Sequence, residues 1–165
     1  MKKENIILNQ QEVGHKIKRI AYQIYETNVN ESELIIAGIY KNGYTFAKRI
    51  VKELTAISDL KIQLCKIEMD KKNPLNTVKT DIPLEAFSNK PVIIADDVLN
   101  TGTTLMYAVQ YLLNVSLKRL KTTVLVNRNH KKFPVKADFK GVSLSTSLNN
   151  TIEVTFGKED IVTIK

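Results

Sequence analysis

Residues 92–104 read VIIADDVLNTGTT, and this stretch decides the fold class of the chain. Its first four residues are a wholly apolar run of strand length, which predicts a buried strand of a parallel sheet. Two adjacent carboxylates, Asp96 and Asp97, follow the run. Because ligands of open parallel sheets bind beyond the carboxyl ends of the strands, we expect this pair to face a ligand.

The chemistry of the stretch has two parts. Asp96 and Asp97 would repel an anion, but they can accept hydrogen bonds from a neutral group with two neighbouring hydroxyls, such as a ribose ring. A phosphate would lie further along, where hydroxyl and backbone N–H groups open the next helix. Those groups belong to Asn100, Thr101, Gly102, Thr103 and Thr104. The order matches a ribose 5-phosphate; the alternative is a solvated loop with a threonine helix cap.

Strands alternate with helices on both sides of this stretch. Apolar residues at helical spacing predict helices at residues 10–28, 46–54 and 105–113. Apolar or alternating runs predict further strands at residues 34–39, 61–68 and 121–126. This alternation is typical of βαβ units, so we predict an α/β fold with a doubly wound, mostly parallel sheet.

Two regions lack the helical spacing. Residues 69–81 are polar and carry lysines and asparagines, which predicts a mobile loop. Residues 133–165 contain short β-rich pieces at 151–156 and 161–164 without a helix between them, which predicts a small β-rich appendage on the sheet. No repeat or linker interrupts the chain, so residues 1–165 are expected to form a single domain.

The composition limits the class of protein and its partners. The chain has 165 residues, 43% of them hydrophobic, a net charge of +8 and one cysteine, Cys65. A lone cysteine cannot form an internal disulfide, and no apolar run suits a secretory signal or a membrane span, so we expect a cytoplasmic protein without membrane contact. The positive charge favours polyanions, either phosphorylated small molecules or RNA, although a merely solubilising lysine surface has the same composition.

A second glycine turn is a candidate phosphate site. Residues 38–45 read GIYKNGYT, with two glycines at P-loop spacing, but Tyr44 stands where the P-loop lysine must be. An NTPase is therefore disfavoured. The turn is either a loop that receives another phosphate group or a strand-to-helix connection that needs glycine.

The pattern of four apolar residues followed by Asp-Asp-x-x-x-Thr-Gly-x-Thr resembles the signature of type I phosphoribosyltransferases. Three further stretches, at residues 18–21, 38–49 and 124–141, resemble the bifunctional pyrimidine-operon attenuator and uracil phosphoribosyltransferase family, and the likeness covers nearly all of the chain. It implies the type I phosphoribosyltransferase fold. It also implies an enzyme that converts uracil and phosphoribosyl pyrophosphate to UMP and pyrophosphate.

The resemblance implies roles for particular residues. Lys41, Asn42 and Gly43 would form the loop that receives pyrophosphate, with Lys41 as a catalytic cation. Asp96 and Asp97 would be catalytic by fixing the ribose hydroxyls.

No metal site is evident in the sequence. His15, His130 and Cys65 are far apart and lack the short spacing of metal ligands. We therefore expect no metal held directly by the protein, and Mg²⁺ that arrives chelated by phosphoribosyl pyrophosphate.

The chain departs from the family it resembles at three places, one of which is the segment after Glu68, which looks shorter than the family's flexible catalytic loop and lacks its Tyr-Arg-Asp-Asp sequence. Lys41-Asn42-Gly43 replaces the usual Thr-Arg-Gly, and Asn127 stands where an aspartate is usual. Purine-type relatives carry an aspartate in place of Asn100, and an amide cannot accept a proton as a carboxylate does, so a pyrimidine is preferred. A nucleotide-binding protein without turnover remains an alternative.

The second role of the family implies UMP-dependent binding to pyrimidine mRNA. The positions of its RNA-contacting patch are occupied by Lys18, Arg19, His130, Lys131 and Lys136. A nucleotide-sensing RNA-binding regulator of pyrimidine genes, with little or no catalysis, is thus the alternative function, and a solvated basic face is the other interpretation of these residues. The likeness also implies a homo-oligomer, as a dimer or a higher assembly.

Overall fold

The computed structural model describes residues 5–165. In chain order the elements are β1 (Asn5–Leu8), α1 (Gln10–Thr27), β2 (Glu33–Ile39), α2 (Asn42–Ile57), β3 (Lys61–Glu68), β4 (Lys79–Thr80), a 3₁₀ helix (Leu84–Phe87), β5 (Pro91–Leu99), α3 (Thr103–Leu112), β6 (Arg119–Arg128), β7 (Phe139–Leu144), β8 (Ile152–Thr155) and β9 (Ile161–Ile164). The predicted helices and the strand over residues 61–68 are all present.

A six-stranded sheet in the order β4-β3-β2-β5-β6-β7 forms the centre of the molecule. Its strands are parallel except for β4, the antiparallel edge strand. The buried stripes of α1 and α2 pack on one face of the sheet, and that of α3 packs on the other. The predicted doubly wound α/β fold is confirmed. Because β2 and β5 are neighbours in the sheet, the loops that follow them lie side by side.

A separate antiparallel sheet is formed by β1, β9 and β8. It confirms the predicted small β-rich unit but corrects its extent, because β7, which lies within residues 133–165, joins the large sheet instead. The sequence pattern does not predict β1 at all. This four-residue strand pairs with β9 from the opposite end of the chain, and such a pairing leaves no local signal.

β5 extends beyond its apolar run. The strand continues to Leu99 and contains both aspartates. It continues because Val98 and Leu99 remain paired with β6, which also outlasts its own apolar run. The expectation that the strand ends before Asp96 is therefore wrong, and the carboxylate pair belongs to the strand itself.

The polar segment of residues 69–81 ends in a short strand. β4 pairs antiparallel with the last residues of β3 and returns the chain to the sheet edge. The predicted loop is confirmed for residues 69–78, where the backbone N–H of Asp70 donates to Thr77 Oγ1 at 3.0 Å. The loop therefore begins and ends beside the carboxyl end of β3.

The start of α1 is fixed by a capping box. Glu12 N donates to Asn9 Oδ1 at 3.0 Å, and Asn9 N donates to Glu12 Oε2 at 2.9 Å. Within residues 5–165 we find no helix that is both long enough and apolar enough to cross a membrane.

Candidate active site

The two aspartates near the carboxyl end of β5 differ in their surroundings. Asp96 is only 4% exposed, whereas Asp97 is half-buried. The backbone N–H of Asp97 donates to Asp96 Oδ1 at 2.9 Å. Burial, together with the charge of Asp97, raises the pKa of Asp96 well above its usual range, and the charge of Lys71 opposes this shift. Asp96 therefore holds its proton more strongly than a solvated carboxyl group does.

Gly43, in the first turn of α2, packs directly against this pair. A Cβ atom at Gly43 would lie 2.8 Å from the Ala95 carbonyl oxygen and 2.9 Å from Asp96 Oδ1. Such distances are too short for any side chain, so glycine is required by close approach. This contact joins the loop after β2 to the strand that carries the aspartates.

Asn42 links the same loop to two other parts of the chain. Its Nδ2 donates to Asp97 Oδ2 at 3.0 Å and to the Val154 carbonyl oxygen of β8 at 2.8 Å. Both N–H groups of the amide are therefore used within the protein. The residue that stands in place of the family's arginine holds Asp97 and the small sheet together.

An open cleft of about 380 Å³ lies beside Asp97; the other residues that line it are Tyr40, Lys41, Asn42 and Lys71. The peptide bond between Tyr40 and Lys41 is cis. Lys41, the cation that the family likeness predicts for this loop, lines the cleft. Lys71, from the loop of residues 69–78, lies on the same cleft, and no sequence pattern fixes that position. Two ammonium groups on one cleft suit a polyphosphate.

The phosphate cradle follows β5 directly. Asn100, Thr101, Gly102 and Thr104 line a small pocket of about 50 Å³ that Asp96 also borders. Gly102 has a φ of 86° and precedes the first residue of α3, so the turn uses the left-handed conformation that glycine permits. Thr101 Oγ1 and Thr103 Oγ1 lie 2.9 Å apart, so one hydroxyl donates to the other. The predicted set of hydroxyl and N–H groups at a helix start is therefore brought together.

A segment after β6 supports the cradle from behind. The backbone N–H groups of Lys132 and Phe133 donate to the Thr101 carbonyl oxygen at 2.8 and 3.1 Å. A Cβ atom at Gly102 would lie 2.6 Å from Val135 Cγ1. The cradle is thus held between its own helix and the chain that follows β6.

A model of the phosphoribosyl transferase domain matches residues 4–160. The chain belongs to this family. A relative from Streptococcus thermophilus, named bifunctional protein PyrR, is 34% identical over 166 residues, which make up 97% of this chain and 94% of the relative. A relative of the same name from Limosilactobacillus reuteri is 32% identical over 169 residues, covering 94% of this chain and 95% of that one.

Solved structures agree on the fold of this phosphoribosyltransferase. The hypoxanthine phosphoribosyltransferase of Trypanosoma cruzi matches with a TM-score of 0.80 over 97% of this chain and 95% of its own, at 19% identity. A hypoxanthine-guanine phosphoribosyltransferase from Bacillus anthracis matches with a TM-score of 0.73 over 86% of this chain and 82% of its own. At this low identity the likeness establishes the fold alone.

Arg128 contacts the cradle of this phosphoribosyltransferase, and sequence reasoning misses it. It ends β6, is 6% exposed, and its Nη1 donates to Asn100 Oδ1 at 3.3 Å. Arginine is rarely buried, so a single charged residue after an apolar run does not predict a buried side chain at this position. The preceding residue, Asn127, is also buried; its Nδ2 donates to Ser143 Oγ at 3.3 Å, and its Oδ1 has no partner among the residues described.

The five basic residues predicted to contact RNA have different local partners. Arg19 Nη2 donates to the Lys140 and Gly141 carbonyl oxygens of β7 at 3.1 and 2.7 Å, and its neighbour Lys18 is exposed. Lys136 lies near the beginning of β6, where its Nζ is 3.8 Å from Asp138 Oδ1.

The other two basic residues follow the far end of β6. His130 Nε2 is 2.8 Å from the Thr146 carbonyl oxygen, and Lys131 comes next and is exposed.

Proposed function

We propose that this phosphoribosyltransferase transfers ribose 5-phosphate from phosphoribosyl pyrophosphate to uracil, giving UMP and pyrophosphate. The observation that carries the choice of base is Asn100, which lines the cradle with an amide and not a carboxylate. A purine whose ring N–H must be removed by a side chain needs a proton acceptor, and an amide is a poor one. The resemblance of the chain to uracil phosphoribosyltransferases supports the same choice.

In the proposed reaction, the bond between ribose C1 and the pyrophosphate oxygen breaks, and a bond from C1 to N1 of uracil forms. The N1 proton leaves with pyrophosphate. Positive charge develops on the ribose ring during the exchange, as in glycoside chemistry. Asp96 and Asp97 accept hydrogen bonds from the ring hydroxyls and stabilise that charge. Lys41 and Lys71, which share the cleft with Asp97, bind the departing pyrophosphate.

Mg²⁺ is proposed to enter with phosphoribosyl pyrophosphate and to add positive charge where pyrophosphate departs. Within residues 5–165, no group of three or more His, Cys, Asp or Glu side chains could hold a metal ion. Asp97, a half-buried carboxylate on the cleft, fits a hydrated ion that is held mainly by substrate oxygens.

The loop of residues 69–78 is proposed to close over the bound substrate. It already carries Lys71 to the cleft, and closure would exclude water from a reactive ribose cation.

The test is to incubate the protein with Mg²⁺, phosphoribosyl pyrophosphate and a panel of free bases, and to identify the nucleotide formed by mass spectrometry. We expect UMP from uracil and little or no product from hypoxanthine or guanine. IMP or GMP as the main product would overturn the choice of base. No product with any base would overturn catalysis and leave nucleotide binding as the function.

A second candidate function is UMP-dependent binding to RNA. Its support is a groove of about 320 Å³ between α1 and β7, lined in part by Arg19 and Lys140, and the word bifunctional in the name of the relatives. Lysine and arginine bind phosphates without reading sequence, so specificity must be measured directly.

The RNA proposal is tested by filter binding to a pyrimidine leader RNA, with and without UMP, over a series of salt concentrations. A sensor binds more tightly when UMP is present and discriminates against a scrambled RNA. An affinity that ignores both UMP and sequence would identify the residues as a solvated basic face. Lys18→Glu should weaken RNA binding without changing UMP formation, because Lys18 is exposed and does not line the cleft.

A further inference from the structure

Arg128 is buried among neutral partners. Its Nε donates to Thr146 Oγ1 at 3.0 Å, and its Nη2 donates to the carbonyl oxygens of Ser147 and Asn150 at 3.3 and 2.8 Å. Its Nη1 donates to Asn100 Oδ1 at 3.3 Å. The guanidinium therefore joins the cradle after β5 to the chain that leads into β8.

The charge of Arg128 is not neutralised inside the protein. Among the ion pairs formed by residues 5–165, none includes Arg128. Buried arginines are normally paired with a carboxylate, because an isolated charge is costly to remove from water. A guanidinium also has five N–H groups. The four bonds above leave one N–H on Nη1, beside Asn100, without an acceptor in the described part of the chain.

Arg128 also fixes which end of the Asn100 amide is free. A guanidinium can donate but cannot accept, so the amide must direct its oxygen at Nη1. The Asn100 Nδ2 group then keeps its two N–H donors. Asn100 itself is exposed and lines the cradle pocket, so these donors are accessible to a ligand.

We propose that Arg128 and Asn100 form a base subsite whose two side chains offer N–H donors and a positive charge, and that it selects a free base with a carbonyl oxygen next to its reacting ring nitrogen. The inference rests on the proposed phosphoribosyl transfer to uracil. In uracil, the C2 carbonyl is adjacent to N1, and the negative charge that N1 gains as its proton leaves spreads onto that oxygen. The Asn100 N–H groups and the nearby charge of Arg128 stabilise it.

A purine lacks the matching group. Its reacting N9 is flanked by ring carbons without a carbonyl oxygen, and its imidazole edge needs an acceptor when it carries a proton. A subsite of donors leaves that N–H unpaired, which is the arrangement that gives strong discrimination between substrates.

The decisive variant is Asn100→Asp. A carboxylate at this position would pair with Arg128, cancel its charge and offer a proton acceptor. We expect kcat/KM for uracil to fall by about 100-fold relative to that for hypoxanthine, while the KM for phosphoribosyl pyrophosphate is unchanged. The matched control is Asn129→Asp, which makes the same change of charge at an exposed residue directly after Arg128 and should leave the ratio unaltered.

Arg128→Lys provides a second test. Lysine keeps the charge but loses the planar fork, so kcat/KM for uracil should fall less than in Arg128→Gln, which loses both. Thr146→Val removes one of the anchoring bonds of Arg128 without changing the charge, and it should lower the melting temperature while preserving base preference.

The outcomes distinguish a failure of the proposed phosphoribosyl transfer from a failure of the base subsite alone. If the wild-type protein makes no nucleotide and binds no phosphoribosyl pyrophosphate, the proposed function fails and the subsite falls with it. If the wild type makes UMP but Asn100→Asp keeps the same ratio of uracil to hypoxanthine turnover, the subsite alone is overturned. Asn100 is exposed, so this variant should fold even if the Arg128 variants do not.

Discussion

The two loops of the site differ in where their contacts come from. The loop after β5 forms its Thr101–Thr103 hydroxyl pair and its turn at Gly102 from adjacent residues, and the segment after β6 only supports it. The loop after β2 depends on distant partners. Asn42 bonds to Asp97 and Val154, which are 55 and 112 residues away in the sequence.

This difference bears on which substitutions each loop tolerates. A phosphate cradle built from local N–H and hydroxyl groups tolerates few substitutions, because each group is fixed by the backbone conformation of its neighbours. A loop that is held by side-chain hydrogen bonds to distant residues can change its sequence and its function together. In this chain Asn42 stabilises Asp97, and the cations on the cleft are Lys41 and Lys71.

The largest expected effect is at Asp97, where the two regions meet. Asp97→Asn removes the negative charge opposite the developing ribose cation and weakens the acceptors for the ring hydroxyls. We expect kcat/KM for phosphoribosyl pyrophosphate to fall by about 100-fold in steady-state assays of UMP formation. Asp59→Asn, at an exposed residue, is the control. Full activity in Asp97→Asn would refute the catalytic role of the pair.

The local loop is tested by Gly102→Ala. Alanine would be forced into a φ of 86° with its Cβ 2.6 Å from Val135 Cγ1. We expect the free energy of unfolding to fall by about 1–3 kcal/mol, measured by urea denaturation. Gly14→Ala is the matched control, because its Cβ meets no atom within 4 Å on a helix, and it should stabilise by about 0.5–1 kcal/mol. Equal effects at both glycines would contradict a strained turn.

The long-range loop is tested by Asn42→Ala, which removes both bonds of the amide. We expect a loss of about 1 kcal/mol in the free energy of unfolding, and a rise of about fivefold in the KM for phosphoribosyl pyrophosphate because Asp97 is no longer held. Asn30→Ala, at an exposed asparagine, controls for the substitution itself. A drop in stability with an unchanged KM would mean that Asn42 only ties the small sheet to the core.

The sequence predicts those parts of the fold and site that local patterns encode. The apolar run at residues 92–95 predicts β5, and the following motif predicts the cradle from Asn100 to Thr104, since each depends on neighbours within one turn. The helical stripe of α1 is found as predicted, because spacing alone decides which face of a helix is buried.

The sequence does not predict the features that depend on distant pairing. β1 exists because β9 offers an edge, and β5 passes through the charged pair because β6 continues beside it. Arg128 is buried because four acceptors from two other segments surround it, and no spacing rule brings these segments together. The contacts of Arg19 with β7 and of His130 with the Thr146 carbonyl oxygen likewise join residues that are far apart in the sequence.

The smallest expected effect concerns the contribution of Asp96 to the pH dependence of the free energy of unfolding. In the wild type, binding a proton lowers the cost of burying this carboxyl group. Burial and the charge of Asp97 raise the pKa of Asp96, against the opposing charge of Lys71. From about pH 4 up to this raised pKa, the folded state binds more protons than the unfolded state, so this group lowers the free energy of unfolding as pH rises.

Asp96→Asn removes that dependence and keeps an oxygen to accept the Asp97 N–H group. The ligand-free variant should therefore be more stable than the wild type at neutral pH, with a difference that shrinks as pH falls towards 4, in urea denaturation series at each pH. If the free energies of unfolding of the two proteins change with pH in the same way, the charge of Asp96 does not destabilise the folded state. If Asp96→Asn is more stable but forms less UMP, Asp96 binds ribose at a cost in folding stability.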